Sequence, residues 1–130
     1  MELNTYFTDI YYHLHPKHEQ MISHQSVRIL QIVQKEHSVT VRFLSEALGI
    51  SHNTASEHVK KLVNHGWIIK QRSEEDQRKV YLQLTEEGLQ IVKQNTELDE
   101  QKLQATLNKL SEEDQQLILQ AFRLLSEAAK

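Results

Sequence analysis

Hydrogen-bonding and cationic side chains recur on one side of the segment from Ser51 to Asn64. At the helical period of about 100° per residue, Ala55, Val59 and Leu62 fall together on the opposite, apolar side. The polar side holds Asn53, Glu57, Lys60 and Lys61, with Thr54 and Ser56 at its flanks and His52 in the first turn. A helix of this composition presents an amide, hydroxyls, a carboxylate and ammonium groups to a single neighbour.

These groups match the chemistry of a DNA duplex. Asparagine pairs bidentately with adenine, glutamate accepts a hydrogen bond from cytosine N4, and serine or threonine contacts several base edges. Lys60 and Lys61 would neutralise phosphates, which adds affinity without reading sequence. Glu57 is repelled by the duplex unless it accepts from cytosine or pairs with a neighbouring lysine. An ordinary solvated helix face is the alternative interpretation of this segment taken alone.

A second set of charged side chains lies in the wholly polar run 73–79 and at residue 72 just before it. Its basic members are Arg72, Arg78 and Lys79. On a projecting turn they could reach a phosphate backbone or the minor groove. The acidic residues of the run weaken that positive field, and Asp76 is predicted to fix the direction of Arg78 through a charge-assisted hydrogen bond. The alternative is the polar tip of a soluble hairpin.

Two helices are predicted to position the first group. Apolar residues at helical spacing predict a helix over 41–48, which Gly49 ends in a left-handed conformation. Ser51 then caps a helix that runs to about Asn64 and closes before Gly66. This order of helix, short turn and serine-capped helix is the sequence form of a helix-turn-helix.

A strand-like period follows the second of these helices. The segments 67–72 and 80–84 predict a β-hairpin around the polar run. Thr85 is then predicted to cap one long helix that reaches Leu110, and Ser111 to cap a last helix. The charged loop is therefore expected to project directly after the helix-turn-helix.

The first forty residues predict two further helices. The stretch 3–14 carries one apolar stripe and ends before Pro16, because proline breaks a helix. Ser23 is the predicted N-cap of a second helix, and Thr40 is the N-cap of the next one. Residues 39–41 form a short β-prone stretch between them.

Composition bounds the class of protein. The chain has 130 residues, 38% of them hydrophobic and 25% charged, with three glycines and one proline. One domain's length with few breakers predicts long helices, so with the hairpin the expected fold is mainly α (α+β). The absence of cysteine excludes disulfides, thiolate zinc sites, a cysteine nucleophile and thiol redox sensing. Short apolar runs and the lack of a signal sequence predict a cytoplasmic protein that does not enter a membrane.

Positive charge is concentrated in the middle of the chain. The whole sequence has 15 basic and 18 acidic residues, a net charge of −3. Residues 51–80 hold six basic and four acidic groups, whereas residues 1–50 and 81–130 are both net acidic. A local basic island suits one defined anion contact better than a general coat of nucleic acid, and random scatter is the alternative.

The residues that carry these features also resemble a known family. The segments LSEALGISHNTASEHVKKLVNHGWI (44–68) and RSEEDQRKVYLQLTEEG (72–88) are similar to the MarR family of bacterial winged helix-turn-helix regulators. The resemblance implies an α-rich homodimer that binds a palindromic operator. Each chain would be a winged helix-turn-helix with N- and C-terminal dimerisation helices. The resemblance also places Ser51 to Ser56 at the start of the major-groove helix, and makes Arg78 the wing arginine with Asp76 as its partner. The family often has a basic residue where this chain has Glu57.

These features together predict a sequence-specific transcriptional regulator, a repressor that binds double-stranded DNA as a homodimer. Residues 24–88 are the expected DNA-binding lobe, and residues 1–15 and 89–130 the helical dimerisation region. The predicted DNA contacts are Ser51, His52, Asn53, Thr54, Ser56, Glu57, Lys60, Lys61, Arg72, Asp76, Arg78 and Lys79. No cofactor is expected, and no nucleophile elbow, phosphate-binding glycine loop or HExxH motif points to an enzyme.

The sequence leaves open one addition to this function, a small-molecule effector, and two alternatives to it. The family resemblance implies release by a small aromatic effector, for which Tyr6, Phe7, Tyr11, Tyr12 and Trp67 are the candidate lining residues, or else core residues. His13, His15, His18 and His24, with Glu19, supply metal-ligand types without forming one helical face, so a metal-responsive regulator is a minor alternative. A winged-helix module that binds protein instead of DNA is the second alternative, suggested by Glu57 and the acidic loop.

Overall fold

The computed structural model describes residues 1–17 and 20–130. Its elements are α1 (Glu2–Leu14), α2 (His24–Lys35), α3 (Val41–Leu48), α4 (His52–Asn64), β1 (Ile68–Arg72), β2 (Val80–Leu84), α5 (Glu86–Thr96), α6 (Glu100–Leu107) and α7 (Glu112–Ala129). The predicted mainly helical class with one hairpin is confirmed. No helix in the described part of the chain is long and apolar enough to cross a bilayer.

The chain divides into two compact units. One unit, which we call the winged unit, comprises residues 17–97 and contains α2 to α5 with the hairpin. The other, which we call the terminal unit, comprises residues 1–16 and 98–130 and contains α1, α6 and α7.

Serine and threonine caps set the helix starts that the sequence predicts. The Thr40 hydroxyl accepts from the Phe43 amide at 3.0 Å, and the Ser51 hydroxyl accepts from the Thr54 amide at 3.1 Å. The same arrangement begins α2, α5 and α7 at Ser23, Thr85 and Ser111. Each cap satisfies an amide that the first helical turn leaves without a partner, so these helix starts are local properties of the sequence.

A single apolar core lies inside the winged unit. Its buried members are Ile29, Leu30, Val39, Leu44, Val59, Leu62, Trp67, Ile68, Leu82, Ile91 and Val92. Every element of the unit contributes to this core, and α4 contributes the predicted residues Ala55, Val59 and Leu62, each at most 1% exposed. The apolar side of α4 is therefore fixed against the core, and the opposite side is turned to solvent.

The hairpin pairs β1 with β2 in an antiparallel register that runs from Ile68 opposite Leu84 to Arg72 opposite Val80. The β-prone stretch 39–41 is not a strand in the structure. The Val39 carbonyl nevertheless accepts from the Leu82 amide at 2.8 Å, so this stretch contacts β2 through one backbone hydrogen bond. Val41 already begins α3, and the Thr40 cap leaves no room for a longer pairing.

The junction between the hairpin and α5 explains the spacing of Gly66, Thr85 and Gly88. The Thr85 hydroxyl donates to the Gly66 carbonyl at 2.7 Å and accepts from the Gly88 amide at 3.0 Å. A Cβ atom at Gly88 would lie 2.1 Å from the Trp67 carbonyl oxygen, so only glycine allows this approach.

The predicted long helix from Thr85 to Leu110 is wrong, because the structure divides it into α5 and α6. Glu97 is extended, and the Asp99 carboxylate accepts from the Lys102 amide at 2.9 Å and starts a new helix. The apolar stripe continues in period across the break, which conceals the cap signal of Asp99 in the sequence.

Hydrogen bonds tie α6 to the end of α1 within the terminal unit. The Asp99 amide donates to the Leu14 carbonyl at 2.8 Å, and the Lys102 ammonium donates to the His15 carbonyl at 3.0 Å. No residue among 1–16 and 98–130, all of which the structure describes, is buried. The large side chains left exposed there include Leu3, Tyr6, Phe7, Tyr12, Leu117, Leu119, Phe122, Leu124 and Leu125.

Candidate nucleic-acid interface

The outward side of α4 is the first part of the candidate interface. Asn53, Glu57, Lys60 and Lys61 are exposed, as the helical period predicts. Ser51, His52 and Thr54 are also exposed at the start of the helix, and Ser56 is half-buried at its flank. The predicted α4 residues are therefore accessible to a partner, with Ser56 the least exposed of them.

The turn before α4 fixes where this surface begins. Gly49 ends α3 with φ +65°, a left-handed conformation that favours glycine, and its amide donates to the Ser45 carbonyl. The Ile50 amide donates to the same Ser45 carbonyl at 3.0 Å. Ser51 is extended and caps α4 directly afterwards, so three residues reverse the chain between two packed helices.

The charges on α4 have no ionic partner among the residues that the structure describes. Among residues 1–17 and 20–130, the ion pairs within 4.0 Å are Arg42–Glu46, Asp76–Arg78 and Glu127–Lys130. Lys61 lies four residues after Glu57, a spacing that permits a pair on a helix, yet the two are not paired. One carboxylate and two ammonium groups thus face solvent free to bind an external partner.

The hairpin β1–β2 with its loop 73–79, which we call the wing, is the second part of the candidate interface. Arg78 Nε donates to Asp76 Oδ1 at 3.1 Å, and the Arg78 amide donates to the same oxygen at 3.0 Å. The predicted orientation of Arg78 by Asp76 is confirmed. The Arg78 side chain is 90% exposed, so its guanidinium projects from the wing while one edge is held.

This contact acts on the acidity of the carboxyl group. Hydrogen bonds from the Arg78 side chain, and then from its backbone amide, hold the pKa of Asp76 below its usual value of 3.8. The Asp76 carboxylate is therefore ionised at neutral pH, which the pair with the guanidinium requires.

Hydrogen bonds from Ser73 and Arg72 shape the wing loop. The Ser73 hydroxyl accepts from the Asp76 amide at 3.2 Å, and the Ser73 amide donates to the Lys79 carbonyl at 2.9 Å. Arg72 Nη1 donates to the Gln77 carbonyl. Arg72, although exposed, therefore braces the loop through this hydrogen bond, whereas Lys79 is exposed without an ion pair in the described chain. A serine three residues before an aspartate was the available signal for this turn.

The aromatic residues suggested to line an effector pocket lie outside α4 and the wing. Trp67 is a core residue, 3% exposed, whose ring stacks on His65 at a centroid distance of 4.4 Å. Tyr6, Phe7, Tyr11 and Tyr12 are exposed on α1 in the terminal unit. That unit has an open apolar groove of about 490 Å³, lined by Leu3, Ala121, Phe122, Leu124, Leu125 and Ala128.

The histidines of the N-terminal half are not gathered into a metal site in the described part of the chain. No group of three or more histidine or acidic side chains converges there in a way that could hold a metal ion. His18 and Glu19, two of the suggested ligands, lie outside the described residues.

Comparison with known proteins places these features in a family. The profile of the family described as transcriptional regulator SarA/Rot matches residues 12–95. The uncharacterised HTH-type transcriptional regulator YfiV of Bacillus subtilis is 28% identical over 107 residues, which is 82% of this chain and 67% of that protein. The transcriptional repressor MprA of Escherichia coli K12 is 38% identical over 61 residues, or 47% of this chain and 35% of the repressor.

A third relative comes from a staphylococcus. The HTH-type transcriptional regulator SarZ of Staphylococcus haemolyticus is 25% identical over 75 residues, 58% of this chain and 50% of SarZ. The chain thus spans about two thirds of YfiV and half or less of the other two relatives.

Solved structures share the fold. A MarR-like regulator from Thermotoga maritima has a TM-score of 0.67 at 22% identity and covers 98% of this chain and 92% of its own. MepR of S. aureus bound to ethidium bromide has a TM-score of 0.65 at 18% identity, and the match covers 99% of this chain and 94% of the MepR chain. The predicted MarR-like winged fold is confirmed by this likeness, and the sequence comparison narrows the family to SarA/Rot.

Proposed function

The chain belongs to the SarA/Rot family of transcriptional regulators, and we propose that it regulates transcription by inserting α4 into the major groove of an operator. The observation that carries this proposal is the division of α4 into an anchored and a free side. Ala55, Val59 and Leu62 are buried in the core. Asn53, Lys60 and Lys61 are exposed, and their side chains have no partner within residues 1–17 and 20–130. A rigid helix with an unpaired polar face is what base and phosphate contacts need.

The wing supplies the second contact in this proposal. Arg78 projects from the loop with its direction fixed by Asp76, and an oriented guanidinium suits phosphates or a narrow minor groove. Lys79 adds a second exposed cation at the same tip. The remaining DNA contacts that we propose are those predicted from the sequence: Ser51, His52, Thr54, Ser56, Glu57 and Arg72.

We propose further that two copies bind one palindromic operator. The terminal unit exposes an apolar groove and buries none of its own residues, so a second copy is the occupant that would complete its core. Leu117, Ala121 and Leu124 recur on α7 at the three- and four-residue spacing of a helix–helix seam. In such a dimer the two α4 helices would meet successive major grooves, about 34 Å apart.

Repression by blocking promoter access is the mode of regulation that we propose. MprA, which is similar to this chain over 61 residues, is a transcriptional repressor. We also propose release by a small aromatic effector, since MepR, which has the same fold, has been solved with ethidium bromide bound. Such a ligand acts only through its difference in affinity for the DNA-competent and DNA-incompetent states.

Replacing Asn53 tests the proposal at the base edge. The probe is a duplex selected by the wild-type protein from a random-sequence library, and binding is measured by fluorescence anisotropy at fixed salt. We expect Asn53→Ala to weaken binding by about 1–3 kcal/mol, or roughly 5- to 150-fold, and to relax the preference at one base position.

The matched control for this experiment is Asn64→Ala. Asn64 is also exposed on α4 but lies at its far end, about three turns after Asn53. The control variant should bind like the wild type. Equal binding by wild type and Asn53→Ala would refute the base contact, and a wild-type protein that enriches no duplex from the library would refute the proposed function.

A further inference from the structure

Glu57 is the one acidic residue on the face of α4 that we propose contacts DNA. It is exposed, and it lies one helical turn after Asn53 and one turn before Lys61. A carboxylate at this place faces a polyanion, so leaving it without a donor weakens binding to every sequence. Its presence on this face therefore needs a physical reason.

Internal neutralisation does not supply that reason. Elsewhere in the described chain, exposed charges at similar spacing do form pairs, as Arg42 and Glu46 do at 3.2 Å. Glu57 has the same opportunity with Lys61 but lies outside the 4.0 Å limit of an ion pair. The carboxylate is thus free to accept a hydrogen bond from the partner of this face.

The chemistry of the major groove limits which donor that can be. An ionised carboxylate only accepts hydrogen bonds, and the base donors in the groove are cytosine N4 and adenine N6. Adenine presents the N7 acceptor beside its N6 amino group, and this lone pair repels the second carboxylate oxygen. Cytosine has no acceptor of its own beside its amino group on this edge, so it is the better partner for a carboxylate.

The position of Glu57 on α4 also limits where the base lies. Four residues of α-helix advance by about 6 Å, and base pairs are stacked about 3.4 Å apart. A base contacted by Glu57 would thus lie within about two base-pair steps of the base contacted by Asn53. On this basis we infer that Glu57 is a specificity-determining residue that reads the N4 amino group of a cytosine in each operator half-site. The inference depends on the proposed insertion of α4 into the major groove.

Selection from a random duplex library tests this directly. The wild type, Glu57→Gln, Glu57→Ala and the control Glu46→Gln each select their preferred duplexes, which are then sequenced. We expect the wild type and the control to select the same half-site with one fixed cytosine. The two Glu57 variants should lose that cytosine alone, and Glu57→Gln should favour adenine there, because an amide pairs bidentately with adenine.

A double-mutant cycle measures the same contact. The wild-type operator and an operator with that cytosine changed to thymine are titrated with wild type and Glu57→Gln. The base change should weaken the wild type at least about fivefold and the variant by less than twofold. Glu57 is exposed, so circular dichroism should show the variant folded like the wild type.

Two outcomes overturn the inference, and they are distinguishable. If both Glu57 variants select the wild-type half-site and bind every duplex more tightly, Glu57 is only a repulsive charge while the proposed function stands. If the wild type itself selects no sequence and binds no duplex at low salt, the proposed function fails and the inference fails with it.

Discussion

At the residue scale, Arg78 shows how a wing side chain is held before it meets a partner. Both its backbone amide and its Nε are bound to one oxygen of Asp76, while the side chain remains 90% exposed. An arginine held in this way loses less conformational entropy when it binds a phosphate than a free one would. Asp76 is therefore a positioning residue, although its charge has the same sign as that of DNA.

Removing either partner should separate these two roles. We expect Arg78→Ala to weaken operator binding without unfolding the protein, because the side chain is exposed. Asp76→Asn should also weaken binding, despite removing a negative charge, because Arg78 loses its fixed direction. Anisotropy titrations give the affinities, and thermal denaturation checks folding. Tighter binding by Asp76→Asn would show that Asp76 acts only as a repulsive charge.

The titration of Asp76 provides an independent check on the same contact. Arg78 lowers the folded-state pKa of Asp76, so any stability from the pair is present above the ordinary value of 3.8 and is lost as pH falls through the lower folded value. The pair should thus be intact throughout the neutral range. NMR titration of the Asp76 carboxyl should show its pKa rising towards 3.8 in Arg78→Ala and unchanged in Arg42→Ala. An unchanged value in Arg78→Ala would contradict the contact.

Lys61 should contribute affinity without sequence preference. Each phosphate contact releases counterions, so Lys61→Ala should weaken binding to all duplexes similarly and reduce the slope of log K against log salt by about 1. Titrations at several salt concentrations measure that slope. Lys130→Ala, which removes a cation from the terminal unit, is the control and should leave the slope unchanged. A change confined to one sequence would instead make Lys61 a base contact.

At the scale of elements, local signals predict most of the winged unit. The caps at Thr40, Ser51 and Thr85 and the left-handed Gly49 depend on a few neighbouring residues, so the sequence predicts them correctly. The end of α5 and the start of α6 near Asp99 are not evident from the sequence, because the apolar period runs through this stretch without glycine or proline. The exposed α4 face was predictable from its period, whereas the bracing of the wing loop by Arg72 depends on a fold that periodicity does not specify.

Replacement by alanine should lower the free energy of unfolding by different amounts at Gly49, which ends α3, and at Gly88, in the first turn of α5. Gly49 has a left-handed backbone but no atom within 4 Å of an added Cβ, so Gly49→Ala should cost about 1–2 kcal/mol of conformational strain. At Gly88 the Cβ would lie 2.1 Å from the Trp67 carbonyl oxygen, and backbone cannot move aside like a side chain. Gly88→Ala should therefore cost at least about 3 kcal/mol. Denaturant unfolding measures both, and equal losses would contradict the close approach at Gly88.

At the scale of the whole molecule, the two units differ in how far one chain can complete them. The winged unit encloses a core that includes Leu30, Leu44 and Val92, each fully buried. The terminal unit has apolar stripes on α1 and α7 but buries no residue among 1–16 and 98–130. Sequence patterning predicts those stripes and cannot say what covers them, because an apolar stripe is the same whether its partner is in the same chain or another.

We propose that two copies of this chain, joined through their terminal units, place two α4 helices on one operator. Sedimentation velocity of the free protein and of its complex with a selected palindromic duplex tests this most directly. We expect a dimer in the free state and two chains per duplex in the complex. Leu124→Glu, at a side chain 73% exposed in the single chain, should shift the protein to monomer and weaken binding, whereas Ser126→Glu, two residues further and so about 200° around α7 from Leu124, should not. A wild-type protein that sediments as a monomer and binds the duplex as one chain, or binds no duplex at low salt, would contradict the claim.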